Sequence, residues 1–262
     1  MTGGAAGTEQ LHGLRILVTR PAHQAEPICA KIESCGGRVL RLPLIAIQWL
    51  EPPALTLDEG GWLIFTSANA VEGLLRSSRV PAQVLSTPDV RVIAIGPATR
   101  RRLQAAGVPV HWSPASQFTS EALLEQLGEA GPAGRDVVVV KGVGGRQTLE
   151  EHLRDRGARV RTLTVYRREP VRIHPPAVNE AVERAGVDAA LVTSGEILTA
   201  LDDYLAAHNA ALKATLALVA GGQRVARLAQ QRSFERVVAA PDPSDASMFA
   251  ALVALARTLH RG

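Results

Sequence analysis

Only two tyrosines occur in the 262 residues, and one of them, Tyr166, follows the predicted strand Arg161 to Val165 and directly precedes Arg167 and Arg168. A phenol with cations at hand is a usable proton donor or acceptor. A half-buried strand tyrosine with a wet hydroxyl fits the same local sequence equally well. Six short polar segments each follow an apolar run and open a helical one. They are Thr19-Arg20-Pro21, Thr66-Ser67-Ala68-Asn69, Gly96-Pro97-Ala98-Thr99, Lys141-Gly142-Val143-Gly144-Gly145-Arg146, Thr193-Ser194-Gly195 and Gly221-Gly222-Gln223-Arg224. A helix start carries unpaired N–H groups and a partial positive charge, so each turn can hold a carboxylate or phosphate, and several together a polyanion. For any single turn, helix capping by Ser, Thr or Asn is the favoured reading; six in register shift the balance toward a ligand.

The elements that must position these turns repeat. Ile16 to Ile45 aligns without a gap on Val137 to Tyr166, matching Val18 with Val139, Arg20 with Lys141, Gly36 with Gly157 and Leu42 with Leu163. Both copies read strand, turn, helix, strand, and the paired glycines fall where a helix would end in a left-handed cap. Trp62 to Val71 then resembles Ala189 to Leu198, Val90 to Leu103 resembles Leu216 to Leu228, and Val110 to Leu124 resembles Val237 to Leu252. Continuous apolar runs such as Val137 to Val140 predict strands buried on both faces, hence an α/β protein with a doubly wound parallel sheet, made twice. Ligands of such sheets bind beyond the carboxyl ends of the strands, where the six turns lie. The repeats alone place a tandem split near Gly131.

Composition narrows the ligand. Lys plus Arg number 29 against 25 Asp plus Glu, a net charge of +4 that favours anionic partners. With 3% aromatic residues the chain lacks the stacking surface that binds nucleic-acid bases. Arg100-Arg101-Arg102 reads as a solvated helix start, so a small anion is expected and no nucleic acid. No apolar run reaches a membrane span and no secretory leader is visible, which predicts a cytoplasmic protein. Cys29 and Cys35 have neither zinc nor redox spacing and read as free thiols, and seven scattered histidines give no metal site. The run from Gly142 to Arg146 lacks dinucleotide or P-loop spacing, and no GxSxG elbow occurs.

Taken in order, Ile16 to Pro21 (ILVTRP), Phe65 to Val71 (FTSANAV), Ile95 to Thr99 (IGPAT), Gly144 to Arg146 before a helix ending at Gly157, and Val165 to Arg168 (VYRR) resemble the uroporphyrinogen-III synthase family, from about Leu14 to Leu255. The resemblance implies two similar doubly wound parallel-sheet domains joined by two crossing β-strands. Residues 14–38 and 172–262 would form one domain and 49–159 the other, with 39–48 and 160–171 as the linker and a substrate cleft between the domains. It implies a cyclising hydro-lyase that closes linear hydroxymethylbilane to uroporphyrinogen III, losing water and inverting ring D, with no cofactor and no metal. A cytoplasmic monomer is implied, in transient contact with the upstream enzyme that makes hydroxymethylbilane. Tyr166 matches the family's active-site tyrosine and would assist hydroxyl departure. Thr66, Ser67, Asn69, Gly96, Thr99, Gly142, Ser194 and Gly195 would hold the substrate carboxylates through N–H and hydroxyl donors, with Arg20, Lys141 and Arg146 adding cations. The turn at Gly221 departs from the family's Gly-Pro-x-Thr and puts Arg224 where a hydroxyl is expected. Its guanidinium either binds a carboxylate by its fork or is a solvated helix-start arginine. The alternative to an enzyme is a non-catalytic anion-binding module of the same fold.

Overall fold

The computed structural model describes residues 10–80, 84–85, 87, 89–113, 131–144 and 147–259. In chain order these form β1 (Arg15–Val18), α1 (Ala22–Ser34), β2 (Arg38–Arg41), β3 (Ile45–Trp49), β4 (Trp62–Phe65), α2 (Ala68–Arg76), β5 (Arg91–Ala94) and α3 (Pro97–Ala105). There follow β6 (Asp136–Gly142), α4 (Thr148–Asp155), β7 (Arg159–Pro170), α5 (Pro176–Glu183), β8 (Ala189–Val192) and α6 (Gly195–His208). The last elements are α7 (Leu212–Thr215), β9 (Ala217–Ala220), α8 (Gln223–Gln231), β10 (Arg236–Ala239) and α9 (Asp245–Leu259).

The chain divides into two compact units, Met1–Ala46 with Glu169–Gly262, and Ile47–Arg168. In the first, the sheet order is β10-β9-β8-β1-β2 and every neighbouring pair is parallel. In the second, the order is β3-β7-β6-β4-β5, with β7, β6, β4 and β5 parallel. Strand β3 runs antiparallel to β7: Leu50 N donates to Val165 O at 3.0 Å and Val171 N to Leu44 O at 2.9 Å, so the partner number falls as the chain advances.

The central strands are buried on both faces. In β4 and β6 successive residues serve opposite cores: Leu63, Phe65, Val138 and Val140 face α2, while Trp62, Ile64, Val137 and Val139 face α4. The first unit does the same with Leu17 and Ala190 on one face and Ile16, Val18 and Leu191 on the other. Gly36 and Gly157 end their helical segments at φ +81° and +80°, the left-handed stop that the aligned repeat predicts. Cys29 and Cys35 are both free and buried around α1.

The repeat copies do not each fold into one unit. The first β-α-β piece, β1-α1-β2, shares a sheet with β8, β9 and β10, and the second, β6-α4-β7, with β4 and β5. Each unit therefore completes one copy's opening with the other copy's remainder, and the tandem division near Gly131 is replaced. The fourth repeated strand is a full strand at β10, while its counterpart is a single parallel bridge between Ile93 and Trp112. The remainder of that predicted segment, toward Leu124, lies outside the described residues. No helix among the described residues is long and apolar enough to cross a membrane.

Candidate functional site

Numbered within its own sheet, the first unit has the strand order 2-1-3-4-5, and the parallel strands of the second, counted from β4, have the order 2-1-3-4 with antiparallel β3 added beyond β7; in both doubly wound orders the switch point lies between the first and third parallel strands. In the second unit these are β6 and β4. At their carboxyl ends stand Lys141 and Gly142 on one side and Thr66 and Ser67 on the other. Ligands of open α/β sheets bind at this position because the chain leaves the two strands toward opposite faces and opens a crevice.

Tyr166 is delivered to that crevice by an irregularity in β7. The pairing of β6 with β7 skips a residue, running from Lys141 opposite Thr164 to Gly142 opposite Tyr166. Regular alternation would send Val165 and Tyr166 to opposite faces; with the bulge, both join the core cluster under α2. Gly142 is required beneath the ring, since a Cβ there would lie 2.5 Å from Tyr166 Cζ. Trp49 meets the ring edge-on at 6.4 Å between centroids.

Tyr166 is thus 2% exposed, and its hydroxyl is hydrogen-bonded rather than wet. Ser67 Oγ lies 3.1 Å from Tyr166 Oη, and Arg168 Nη2 donates to Oη at 3.2 Å with its guanidinium 5.4 Å from the ring centroid. Ser67 also caps α2, accepting from Ala70 N at 3.1 Å. Thr66 Oγ1 donates to Val140 O at 3.3 Å, and half-buried Asn69 sits in the first turn of the same helix. Gly96 precedes α3 without a side-chain cap, and Thr99 is buried one turn in. Among the described residues, the cap position Gly96 supplies no side-chain acceptor to the amides of that helix start.

Lys141 does not enter the site as a bare cation. Its Nζ donates to Glu150 Oε1 at 2.6 Å, with the two side chains 12% and 4% exposed. Arg146 lies outside the described residues. A hollow of about 240 Å³ beside this pair is lined by Gly142, Gln147, Arg154, Thr162 and Thr164.

The first unit repeats the arrangement without a tyrosine. At the ends of β1 and β8, Thr19 Oγ1 donates to Leu191 O at 2.5 Å and Ser194 caps α6, accepting from Ile197 N at 3.2 Å. Arg20 is buried; its Nη1 donates to Asp245 at the start of α9, while Nε and Nη2 are buried with no hydrogen-bond partner among the described residues. Gly195 opens α6 close to Arg224, whose Nη1 would be 3.6 Å from a Cβ there. Arg224 itself is exposed in the first turn of α8, with no hydrogen bond or ion pair among the described residues. The predicted residues therefore form two groups: Thr66, Ser67, Asn69, Gly96, Thr99, Lys141, Gly142 and Tyr166 in one unit, and Arg20, Ser194, Gly195 and Arg224 in the other.

Sequence reasoning put Arg167 and Arg168 beside the phenol, and Arg168 is seen donating to it, but it missed Glu150 and Asp245 as partners of the cations. Arg168 carried a signal, because residues two apart on a strand share a face. The basic cluster is partly neutralised in its fold: Arg102 forks onto Glu72 at 2.6 and 2.9 Å, joining α3 to α2. Burial of Glu72 works to raise its pKa, but the hydrogen bonds from Arg102 and Arg76 hold it below the usual range.

Two similar doubly wound α/β units, each with capped helix starts and cations at a switch point, define a two-domain α/β protein. The family model described as uroporphyrinogen-III synthase HemD matches residues 26–250, and the chain belongs to that family, whose members are cyclising hydro-lyases of tetrapyrrole biosynthesis. The uroporphyrinogen-III synthase of Salmonella typhimurium is 28% identical over 91% of this chain and 100% of its own length. That of Synechococcus elongatus is 32% identical over 60% of this chain, a match spanning 62% of the relative. A solved mutant uroporphyrinogen III synthase from Thermus thermophilus superposes with a TM-score of 0.58 at 20% identity, covering 95% of this chain and 100% of that one, which shows the shared fold.

Proposed function

We propose that the chain closes linear hydroxymethylbilane to uroporphyrinogen III, with ring D reversed and one water lost. The observation that carries this reading is the Tyr166 phenol, held between Ser67 and Arg168 over Gly142 at a switch point. In this reading Tyr166 gives its proton to the departing hydroxyl oxygen of the ring A hydroxymethyl group as the C–O bond breaks. Both bonding electrons leave with the oxygen as water, and the pyrrole nitrogen supplies the pair that forms the azafulvene cation. Ring D attacks through its substituted carbon, the spiro intermediate fragments and recloses, and loss of a proton restores the phenol. The uncapped start of α3, the hydroxyls of Thr66 and Ser67 and, in the other unit, Ser194, Gly195, Arg20 and Arg224 hold acetate and propionate carboxylates. Preorganised donors of this kind act on the developing charge without reorganising. The protein works as a cytoplasmic monomer without a cofactor and receives its substrate from the enzyme that makes it, a reading supported by family membership.

Freshly generated hydroxymethylbilane, incubated with the protein and resolved into the III and I isomers, tests this directly. The III isomer is expected in excess, and Tyr166→Phe should lower its rate of formation by about tenfold to a hundredfold. Formation of the I isomer alone would leave a non-catalytic anion-binding protein. Full turnover by Tyr166→Phe would remove the tyrosine from the mechanism.

A further inference from the structure

We propose that Arg168 is a positioning residue for the reaction, fixing the direction in which the Tyr166 hydroxyl presents its proton; the inference rests on the role given to Tyr166 above. The ring has little freedom of its own. Gly142 closes one approach, Trp49 stands against the edge, and the strand holds the backbone through Val143 N donating to Tyr166 O at 2.8 Å. What remains is rotation of the hydroxyl about its C–O bond.

Two groups meet at that hydroxyl, and their donor and acceptor capacities decide the rotor. A guanidinium has donors only, so at 3.2 Å from Arg168 Nη2 the phenol oxygen accepts. Its proton must then point away from Arg168. Ser67 can act in either sense, because its Oγ already accepts from Ala70 N yet keeps a hydrogen and a second lone pair. The proton is therefore directed either to Ser67 or, when substrate is bound, to the departing oxygen. When it leaves on that oxygen, both Arg168 and Ser67 can donate to the phenolate until a proton returns. Without Arg168 the rotor has one fewer constraint and the phenolate loses its charged donor. Arg168 lies two residues beyond Tyr166 on the same strand and stacks over the ring at 5.4 Å, so the contact is built by β7 itself.

A double-mutant cycle tests the inference. Arg168→Met, Arg168→Lys, Tyr166→Phe and the Tyr166→Phe/Arg168→Met pair are compared by kcat and KM for the III isomer and by unfolding midpoint. Arg168→Met is expected to lower kcat about tenfold with KM changed less than about twofold, and Arg168→Lys to recover part of that loss. In the Tyr166→Phe background, Arg168→Met should change kcat by less than about twofold, since the group it positions is gone. Losses that multiply in the double variant overturn the proposal, as does an effect confined to KM, which makes Arg168 a substrate ligand. A Tyr166→Phe variant with full turnover strikes the underlying reading instead, and the two failures are read from different arms. If Arg168→Met does not fold, full kcat in Arg168→Ala or Arg168→Gln refutes the proposal.

Discussion

Lys141 and Glu150 show how the site can hold a cation without leaving it bare. The ammonium at the end of β6 and the carboxylate in the first turn of α4 are 2.6 Å apart and almost fully enclosed. A helix start favours the anion. In so dry a setting, breaking one half of the pair costs more than the pair itself contributes. Glu150→Leu alone should therefore destabilise the protein by about 3 kcal/mol, whereas Lys141→Met with Glu150→Leu should recover most of that loss. Denaturant midpoints of the two variants decide it: equal losses would mean the pair is solvated and weak. The same residues mark the limit of legibility. Tyr166 and the capping serines are readable because turns and strand ends announce themselves within a few positions. Glu150 and Asp245 are not, because their partners lie nine and 225 residues away and are supplied by the fold.

At the scale of elements, α5 and α6 meet through a titratable cluster. Tyr204 Oη donates to Asn179 Oδ1 at 2.6 Å, its ring stacks on His208 at 4.4 Å between centroids, and His174 meets it edge-on at 4.9 Å. Burial, then the charge of Glu183, pushes the Tyr204 phenol up to about 12. Burial, then the neighbouring His208, pulls His174 below its ordinary 6.5, and its Nδ1 is buried with no hydrogen-bond partner among the described residues. A histidine whose folded pKa is depressed takes up its proton more readily in the unfolded chain. Stability is then lost as pH falls below the ordinary histidine value. The thermal midpoint should drop as pH is lowered through that window, and His174→Gln should flatten the slope; an unchanged slope in the variant would place the effect elsewhere. The alternation of strand and helix that builds these elements is legible in the sequence, because burial on both faces leaves uninterrupted apolar runs. The bulge that re-aims Tyr166 is not, since a strand with Gly142 at its end reads the same with or without the skipped pairing.

For the molecule as a whole, the exchange of repeat pieces sets which parts can stand alone. Either arrangement, tandem or exchanged, satisfies the same order of strands and helices, and only the pairing of β1 with β8 and of β6 with β4 distinguishes them. The four core clusters respect the exchange. Two draw only on Met1–Ala46 and Glu169–Gly262, and two only on Ile47–Arg168. The continuous unit contains about 120 residues, a size at which a single core suffices. It keeps β3 from Ile47 and then β4 to β7 up to Arg168, so a segment of residues 47–168 should fold alone and unfold in one cooperative transition. A chain of residues 1–168 should gain nothing over it. There β1 and β2 have lost β8, and Leu17, Leu42 and Leu44 have lost Ala190, Val192 and Leu218 on their shared face. Two strands and one helix cannot bury that surface unaided. Amide exchange is therefore expected to be protected across β4 to β7 and unprotected from Arg15 to Arg41 in the longer fragment. Protection of β1 there would mean that it pairs without β8.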